Sequence, residues 1–175
     1  MKKRLTLIQM DVHVNDVEYN YNRVQELLTQ SLSESPDIIV LPETWNTGFY
    51  PSDDLITIAD RNGERTKSLL TAFAKEHKVN IVGGSVAIAK DNLVFNTSYA
   101  YNREGTLVGE YSKMHGFSPA KEDKYFASGT HTTHFELDGI PCSTVICYDI
   151  RFPELVRMAA LPGTELLFVP AQWPT

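Results

Sequence analysis

The segment Asp37-Ile38-Ile39-Val40-Leu41-Pro42 constrains the fold more than any other, because its apolar run between an acid and a proline leaves no polar face. A strand without a polar face is buried on both sides, and such strands belong to sheets covered by further layers. The flanking segments are helical in pattern. Upstream, Asn15-Asp16-Val17-Glu18 offers a capping side chain followed by an acid. Val17, Tyr21, Val24, Leu28 and Leu32 then recur at helical spacing until Ser35-Pro36. Downstream, Glu64 to His77 carries Leu69, Leu70 and Phe73 inward, and Val79 to Ala89 reads as one further strand. With residues 4–12 as the first strand, this half reads β-α-β-α-β.

The pattern then changes to hairpins, with turns at Asp91-Asn92, Arg103-Glu104-Gly105 and Asp138-Gly139. Met114 to Gly129 has no clear period and reads as a long loop suited to carrying function. A strand from Ile140 to Cys147, a helix from near Pro153 and a buried strand at Glu165 to Ala171 complete a single domain over residues 1–175.

With 42% hydrophobic and 22% charged residues, the 175-residue chain has the composition of an ordinary globular domain. Its formal charge of −6 argues against a nucleic-acid partner, which needs clustered cations. The one basic cluster, Lys2-Lys3-Arg4, leads into LTLIQMDV, too short an apolar stretch for a signal peptide or membrane span. No membrane partner and a cytoplasmic address are expected. Cys142 and Cys147 would face opposite sides of one strand, so both are expected as free thiols. No metal or cofactor is expected: His131 and His134 are placed at the surface without the rest of a zinc shell. Val82-Gly83-Gly84-Ser85 lacks the spacing and setting of a phosphate loop. Trp45 and Tyr50 suit a core better than a pocket wall.

Three polar residues, Glu43, Lys113 and Cys147, close three expected strands, where α/β sheets gather ligand-handling groups. Each alone has a bland alternative: an acid opening a loop, a surface lysine, a small buried hydrophobe. Cys147 stands before an expected helix N-terminus, which would favour its thiolate, whereas Cys142 lacks that setting and reads as core. A thiol nucleophile needs a proton acceptor and a group to hold the oxyanion. His115, in the long loop, could be the acceptor. Glu43 as acceptor and Lys113 as the oxyanion partner form the other possibility.

The blocks LPETWNTGF around Glu43, YSKMHGF around Lys113 and ICYDIRFPEL around Cys147 resemble, in order and approximate spacing, the signature blocks of the nitrilase superfamily, the carbon–nitrogen hydrolases. The resemblance spans essentially the whole chain. It implies a cysteine nucleophile at Cys147, a general base at Glu43 and an oxyanion-stabilising lysine at Lys113. Glu122, in AKEDKYFASG, occupies the place of a second glutamate that completes the family site by fixing the lysine. The family's usual K-x-H-L-F is here Lys113-Met114-His115-Gly116-Phe117, with glycine replacing a packing side chain. The first and third blocks resemble the ω-amidase branch, which implies a small-molecule substrate such as 2-oxoglutaramate. Such a substrate bears a free carboxylate, which Arg151 could bind bidentately, unless it forms a structural ion pair. Tyr148 is the second candidate substrate-binding residue.

The resemblance further implies an α/β fold, an α-β-β-α four-layer sandwich lacking its C-terminal part in this chain, and a homo-oligomer, most simply a dimer. A family domain normally continues past this point with a block resembling A-R-A-x-E-N. Sheet edges and faces left uncovered would favour self-association. The alternative to an amidase is a shortened, inactive relative that keeps the site and acts by binding or regulation.

Overall fold

The computed structural model describes residues 2–173. Its first half comprises β1 (Leu5–Leu7), α1 (Val17–Ser31), β2 (Ile38–Val40), the single-turn α2 (Leu55–Ile58), β3 (Asp60–Arg61), α3 (Glu64–His77), β4 (Asn80–Val82) and β5 (Val86–Lys90). The second comprises β6 (Leu93–Tyr101), β7 (Leu107–Ser112), the single-turn α4 (Glu122–Tyr125), β8 (His134–Leu137), β9 (Ile140–Thr144), α5 (Pro153–Ala160) and β10 (Leu166–Phe168). One sheet has the order β1-β2-β4-β6-β5-β3, with β7 also paired to β6, and a second sheet has the order β10-β9-β8. All three expected turns join antiparallel neighbours. Asp91 and Asn92, at φ 50° and 61°, and Asp138 and Gly139, at 52° and 79°, have the positive φ that two-residue hairpins need. Asp16 caps α1 by accepting from the Tyr19 N–H at 3.1 Å, and α1 ends in a 3₁₀ turn at Leu32–Glu34 before Pro36.

The apolar run at β2 explains the layers. Ile39 and Leu41 pack with Tyr21, Val24 and Leu28 of α1 and Leu70 and Phe73 of α3. Ile38 and Val40 point the other way, against Phe135, Leu137, Cys142 and Phe168 of the second sheet. On that sheet's outer side, Leu167 and Val169 meet Leu155 and Ala159 of α5. The result is the α-β-β-α sandwich, and it requires β2 to be apolar on successive residues. Each such side chain contributes about 1.5–3 kcal/mol when fully buried.

Several strand boundaries differ from expectation: β9 ends at Thr144 rather than at Cys147, so Cys142 and Cys147 do not share one strand, and β10 covers only Leu166–Phe168. The first strand is only Leu5–Leu7, because β2 is its sole neighbour among the described residues and turns away at Pro42. The expected strand from Val79 to Ala89 is interrupted: β4 and β5 both run antiparallel to β6, with Gly83 N–H donating to Tyr99 C=O at 2.8 Å between them. Gly84, at φ 61°, makes the break, and a Cβ there would lie 2.0 Å from the Pro42 carbonyl oxygen. Gly84→Ala is therefore expected to cost about 3 kcal/mol or more, a fall of roughly 6–12 °C in Tm. Gly139→Ala is the control, since nothing lies within 4 Å of its added Cβ. Equal thermal melts for the two variants would refute the close approach.

Candidate active site

Glu43 lies three residues beyond β2, on a loop held by the break between β4 and β5. Ser85 N–H donates to Pro42 C=O at 3.0 Å, Thr44 N–H to Ser85 Oγ at 3.0 Å, and Trp45 N–H to Ser85 C=O at 3.1 Å. The Trp45 indole N–H donates to Gly83 C=O at 2.9 Å. The glycine-serine segment without phosphate-loop spacing thus cradles the loop that presents Glu43. Trp45 is fully buried in the core, and Tyr50 is exposed.

Lys113 follows β7 directly, its N–H donating to Asn96 C=O at 2.8 Å. Cys147 opens a 3₁₀ turn, Cys147–Arg151, beyond β9, at φ 45°. Its N–H donates to Pro170 C=O at 2.9 Å, so the strand end and the segment after β10 both fix it. A non-glycine residue in that backbone region is uncommon, and such strain concentrates at functional sites.

These elements bring Glu43, Lys113, Glu122 and Cys147 together. Lys113 Nζ donates to Glu43 Oε1 at 2.8 Å and to Glu122 Oε2 and Oε1 at 2.8 and 3.0 Å. Glu43 also accepts from Asn96 Nδ2 on Oε1 at 3.1 Å and from Gln172 N–H on Oε2 at 2.9 Å. Glu122 accepts from Phe117 N–H at 2.6 Å. A Cβ at Gly116 would lie 3.2 Å from Asp123 N and 3.3 Å from the Glu122 Cβ, so glycine lets this loop pack closely on α4. Glu43 is 0% exposed, Glu122 1%, Cys147 4% and Lys113 5%, so their charges interact with little screening by water.

The electrostatics correct one expectation. Burial, with the Glu43 carboxylate second, pushes the Cys147 thiol up to about 12, against a smaller opposing effect of Lys113. The α5 N-terminus, at Pro153, does not produce a standing thiolate, because Cys147 sits in the separate 3₁₀ turn before it. The thiol is protonated at rest and needs a base beside it. Burial opposes the Lys113 charge, but Glu43 and Glu122 outweigh it and hold the ammonium above its ordinary range. Burial raises Glu122, partly offset by Lys113. Cys142, in the interface between the sheets, is pushed by burial to about 11, and both thiols are free.

His115 is turned to other work. Its Nδ1 pairs with Asp149 Oδ1 at 2.9 Å, and its ring stacks on Phe152 at 3.6 Å. Tyr148 is half-buried between Phe117 and Phe152, with ring centroids 5.0 and 5.6 Å away. Arg151 is exposed, forms no ion pair among the described residues, and lies 5.2 Å over the Trp173 ring. His131 and His134 are exposed. Among the described residues, no group of three or more histidine, cysteine or acidic side chains is placed to hold a metal ion.

Two polar residues went unnoticed in the sequence. Asp149, fully buried, accepts from Tyr111 OH at 2.7 Å, Ile146 N–H at 3.1 Å and His115 N–H at 2.9 Å. It thereby ties the segment around Lys113 to the Cys147 turn. An acid amid TVICYDI was the available signal, since a buried carboxylate requires donors. Asn96, 1% exposed in the middle of β6, carried no local signal.

Comparison with known proteins gives the family and the fold. A family model described as carbon–nitrogen hydrolase matches residues 4–175. The 2-oxoglutaramate amidase of Bacillus subtilis is 40% identical over 99% of this chain and 66% of its own length. The omega-amidase NIT2 of Danio rerio is 30% identical over 97% of this chain and 63% of its own length. A crystal structure of an amidase from Nesterenkonia sp. superposes with a TM-score of 0.87 at 22% identity, covering 99% of this chain and 66% of that one. The chain thus spans about two thirds of the length of these proteins. No described helix is long and apolar enough to cross a membrane.

Proposed function

This chain belongs to the carbon–nitrogen hydrolase family, and on that premise we propose that it hydrolyses the terminal amide of a short dicarboxylic or 2-oxo acid through a cysteine thioester. The observation that carries the proposal is the buried Glu43–Lys113–Glu122 cluster beside a thiol that is protonated at rest. Glu43 takes the thiol proton as Cys147 Sγ attacks the amide carbon, and Lys113 stabilises the oxygen that becomes negative. The proton on Glu43 passes to the nitrogen, the carbon–nitrogen bond breaks, and ammonia leaves a thioester. Water then gives a proton to Glu43 and adds to the thioester carbon. Carbon–sulfur cleavage releases the acid, and the proton returns to the thiolate.

Glu122 has the complementary duty. Both its oxygens bind Lys113 Nζ, so the ammonium stays charged and aimed when Glu43 is neutralised. The relatives' names favour an ω-amide, and the test is ammonia release from 2-oxoglutaramate together with mass detection of an acyl adduct on Cys147. A chain that neither releases ammonia nor acquires an adduct would refute the proposal.

Substrate choice is assigned to Arg151 and Tyr148. With no ion pair among the described residues, the Arg151 guanidinium is available to a substrate carboxylate, and Tyr148 lies between it and the nucleophile in sequence. Arg151→Ala is expected to lower kcat/KM for a carboxylate-bearing amide about 10–100-fold more than for a neutral amide of similar length, the worth of one charge-assisted bond. Equal losses on both substrates would remove Arg151 from the site.

A further inference from the structure

We infer that Asn96 is a positioning residue for the base: its side-chain amide anchors Glu43 Oε1, so that Oε2 is the oxygen that exchanges protons with Cys147. The inference rests on the amidase reading only in giving Glu43 the proton-accepting role.

The geometry separates the two carboxylate oxygens. Oε1 receives Lys113 Nζ at 2.8 Å and Asn96 Nδ2 at 3.1 Å, whereas Oε2 receives, among the described residues, only the Gln172 N–H at 2.9 Å. Two donors saturate the first oxygen, and the second keeps a lone pair for a proton. Asn96 also fixes Lys113, whose N–H donates to the Asn96 C=O at 2.8 Å. One residue of β6 therefore holds the base by its side chain and the lysine by its backbone.

The orientation of the amide is dictated rather than free. Asn96 Oδ1 is buried and has no hydrogen-bond partner among the described residues. Leaving it so costs about 1–3 kcal/mol. Rotating the amide would not relieve the cost, because an ionised carboxylate only accepts, and the rotation would set two oxygens face to face. The unsatisfied carbonyl is the consequence of directing the NH₂ group at Glu43. An apolar side chain of similar size would avoid the penalty, so the arrangement favours a role in the site over a role in packing alone.

Asn96 does what Lys113 cannot. During attack the ammonium must serve the developing oxyanion, which weakens its hold on Glu43. The neutral amide has no part in that charge and keeps the carboxylate in place. The charged and titratable groups facing Glu43 are Lys113 from the end of β7, Glu122 from α4 through Lys113, and the Cys147 thiol from the turn beyond β9. Each bears on the ionisation of Glu43, so the test compares variants in which all three are unchanged.

The experiment follows carbamidomethylation of Cys147 by iodoacetamide against pH, with peptide mapping, in wild type, Asn96→Asp and Asn96→Ala, alongside kcat and KM. Labelling needs no substrate. Its acidic limb reports the base that takes the thiol proton, and Glu43→Gln should abolish that limb. Asn96→Ala removes a donor to the carboxylate, so the limb should rise by about half to one pH unit, with kcat falling about tenfold and KM nearly unchanged. Asn96→Asp sets a second carboxylate against Glu43, so the two share a proton and the limb should rise by more than about one unit. Asn96→Asp keeps the volume and Asn96→Ala reduces it, so a fold lost in one is read in the other. An unshifted limb in a folded variant overturns the inference, as does loss of the fold in both, which would make Asn96 structural only. A wild type that labels with this limb yet releases no ammonia would defeat the amidase reading and leave the role of Asn96 standing.

Discussion

Glu43→Gln is expected to lower kcat by about 10³–10⁴ and to stop formation of the acyl-enzyme, because no other group beside Cys147 takes up the thiol proton. With the thiol at about 12, only a minute fraction is thiolate at neutral pH, so the loss of the base cannot be covered by spontaneous ionisation. Shape is kept but bonding is not. Glu43 accepts from the donors of Lys113, Asn96 and Gln172, and glutamine has one acceptor oxygen to offer them. At least one N–H must then face the new NH₂ group, which should cost roughly 1–3 kcal/mol of stability. Quenched-flow mass spectrometry on the folded variant is the decisive measurement. A normal burst of acyl-enzyme would remove Glu43 from the proton-transfer role, and activity that instead vanishes in His115→Ala would return that role to the histidine.

Lys113→Ala should be equally severe and should announce itself in stability as well. The deletion leaves two buried carboxylates, Glu43 and Glu122, without their shared cation. Removing one partner of a buried ion pair costs about 3–5 kcal/mol, and losing the oxyanion partner costs about 10²–10³ or more in kcat. The sign with pH follows from the same contacts. In the variant, burial raises Glu122 without the opposing effect of Lys113, so the fold is most stable below the unfolded value of that carboxyl and loses stability as pH rises through the raised one. Thermal melts at pH 5 and pH 8 should show a larger drop for Lys113→Ala than for wild type. A parallel pH dependence with retained ammonia release would refute the role given to Lys113.

Local pattern carried most of the architecture. The uninterrupted DIIVLP run demanded burial on both faces, and Ile38 and Ile39 do pack against different layers. The turns at Asp91-Asn92, Arg103-Glu104-Gly105 and Asp138-Gly139 were legible because turn chemistry is written in adjacent residues. The break at Gly83-Gly84 was missed because the group it accommodates, the Pro42 carbonyl, lies in the distant loop after β2. Asn96 and Glu43 stand 53 residues apart, and no periodicity connects them. The thiol's setting was misjudged for a related reason: a nearby helix start is visible in sequence, whereas burial beside a carboxylate is a property of the assembled layers. Candidate site residues were visible as polar groups closing apolar runs. Their partners Asn96 and Gln172 were not, since each acts at a distance along the chain.

The bond from Gln172 N–H to Glu43 Oε2 spans 129 residues, and it sets an order of events during synthesis. The loop bearing Glu43 can settle into its cradle once Ser85 has been made, and the lysine joins it at residue 113. The thiol arrives only with residue 147, and the backbone donors that fix it and the working oxygen of the base arrive later still, from Pro170 and Gln172. A nascent chain therefore carries a nearly complete acid and lysine pair long before it carries anything for them to activate. Contacts of such long range form slowly, so the base acquires its full set of donors only after both sheets and the turn bearing the thiol have been made.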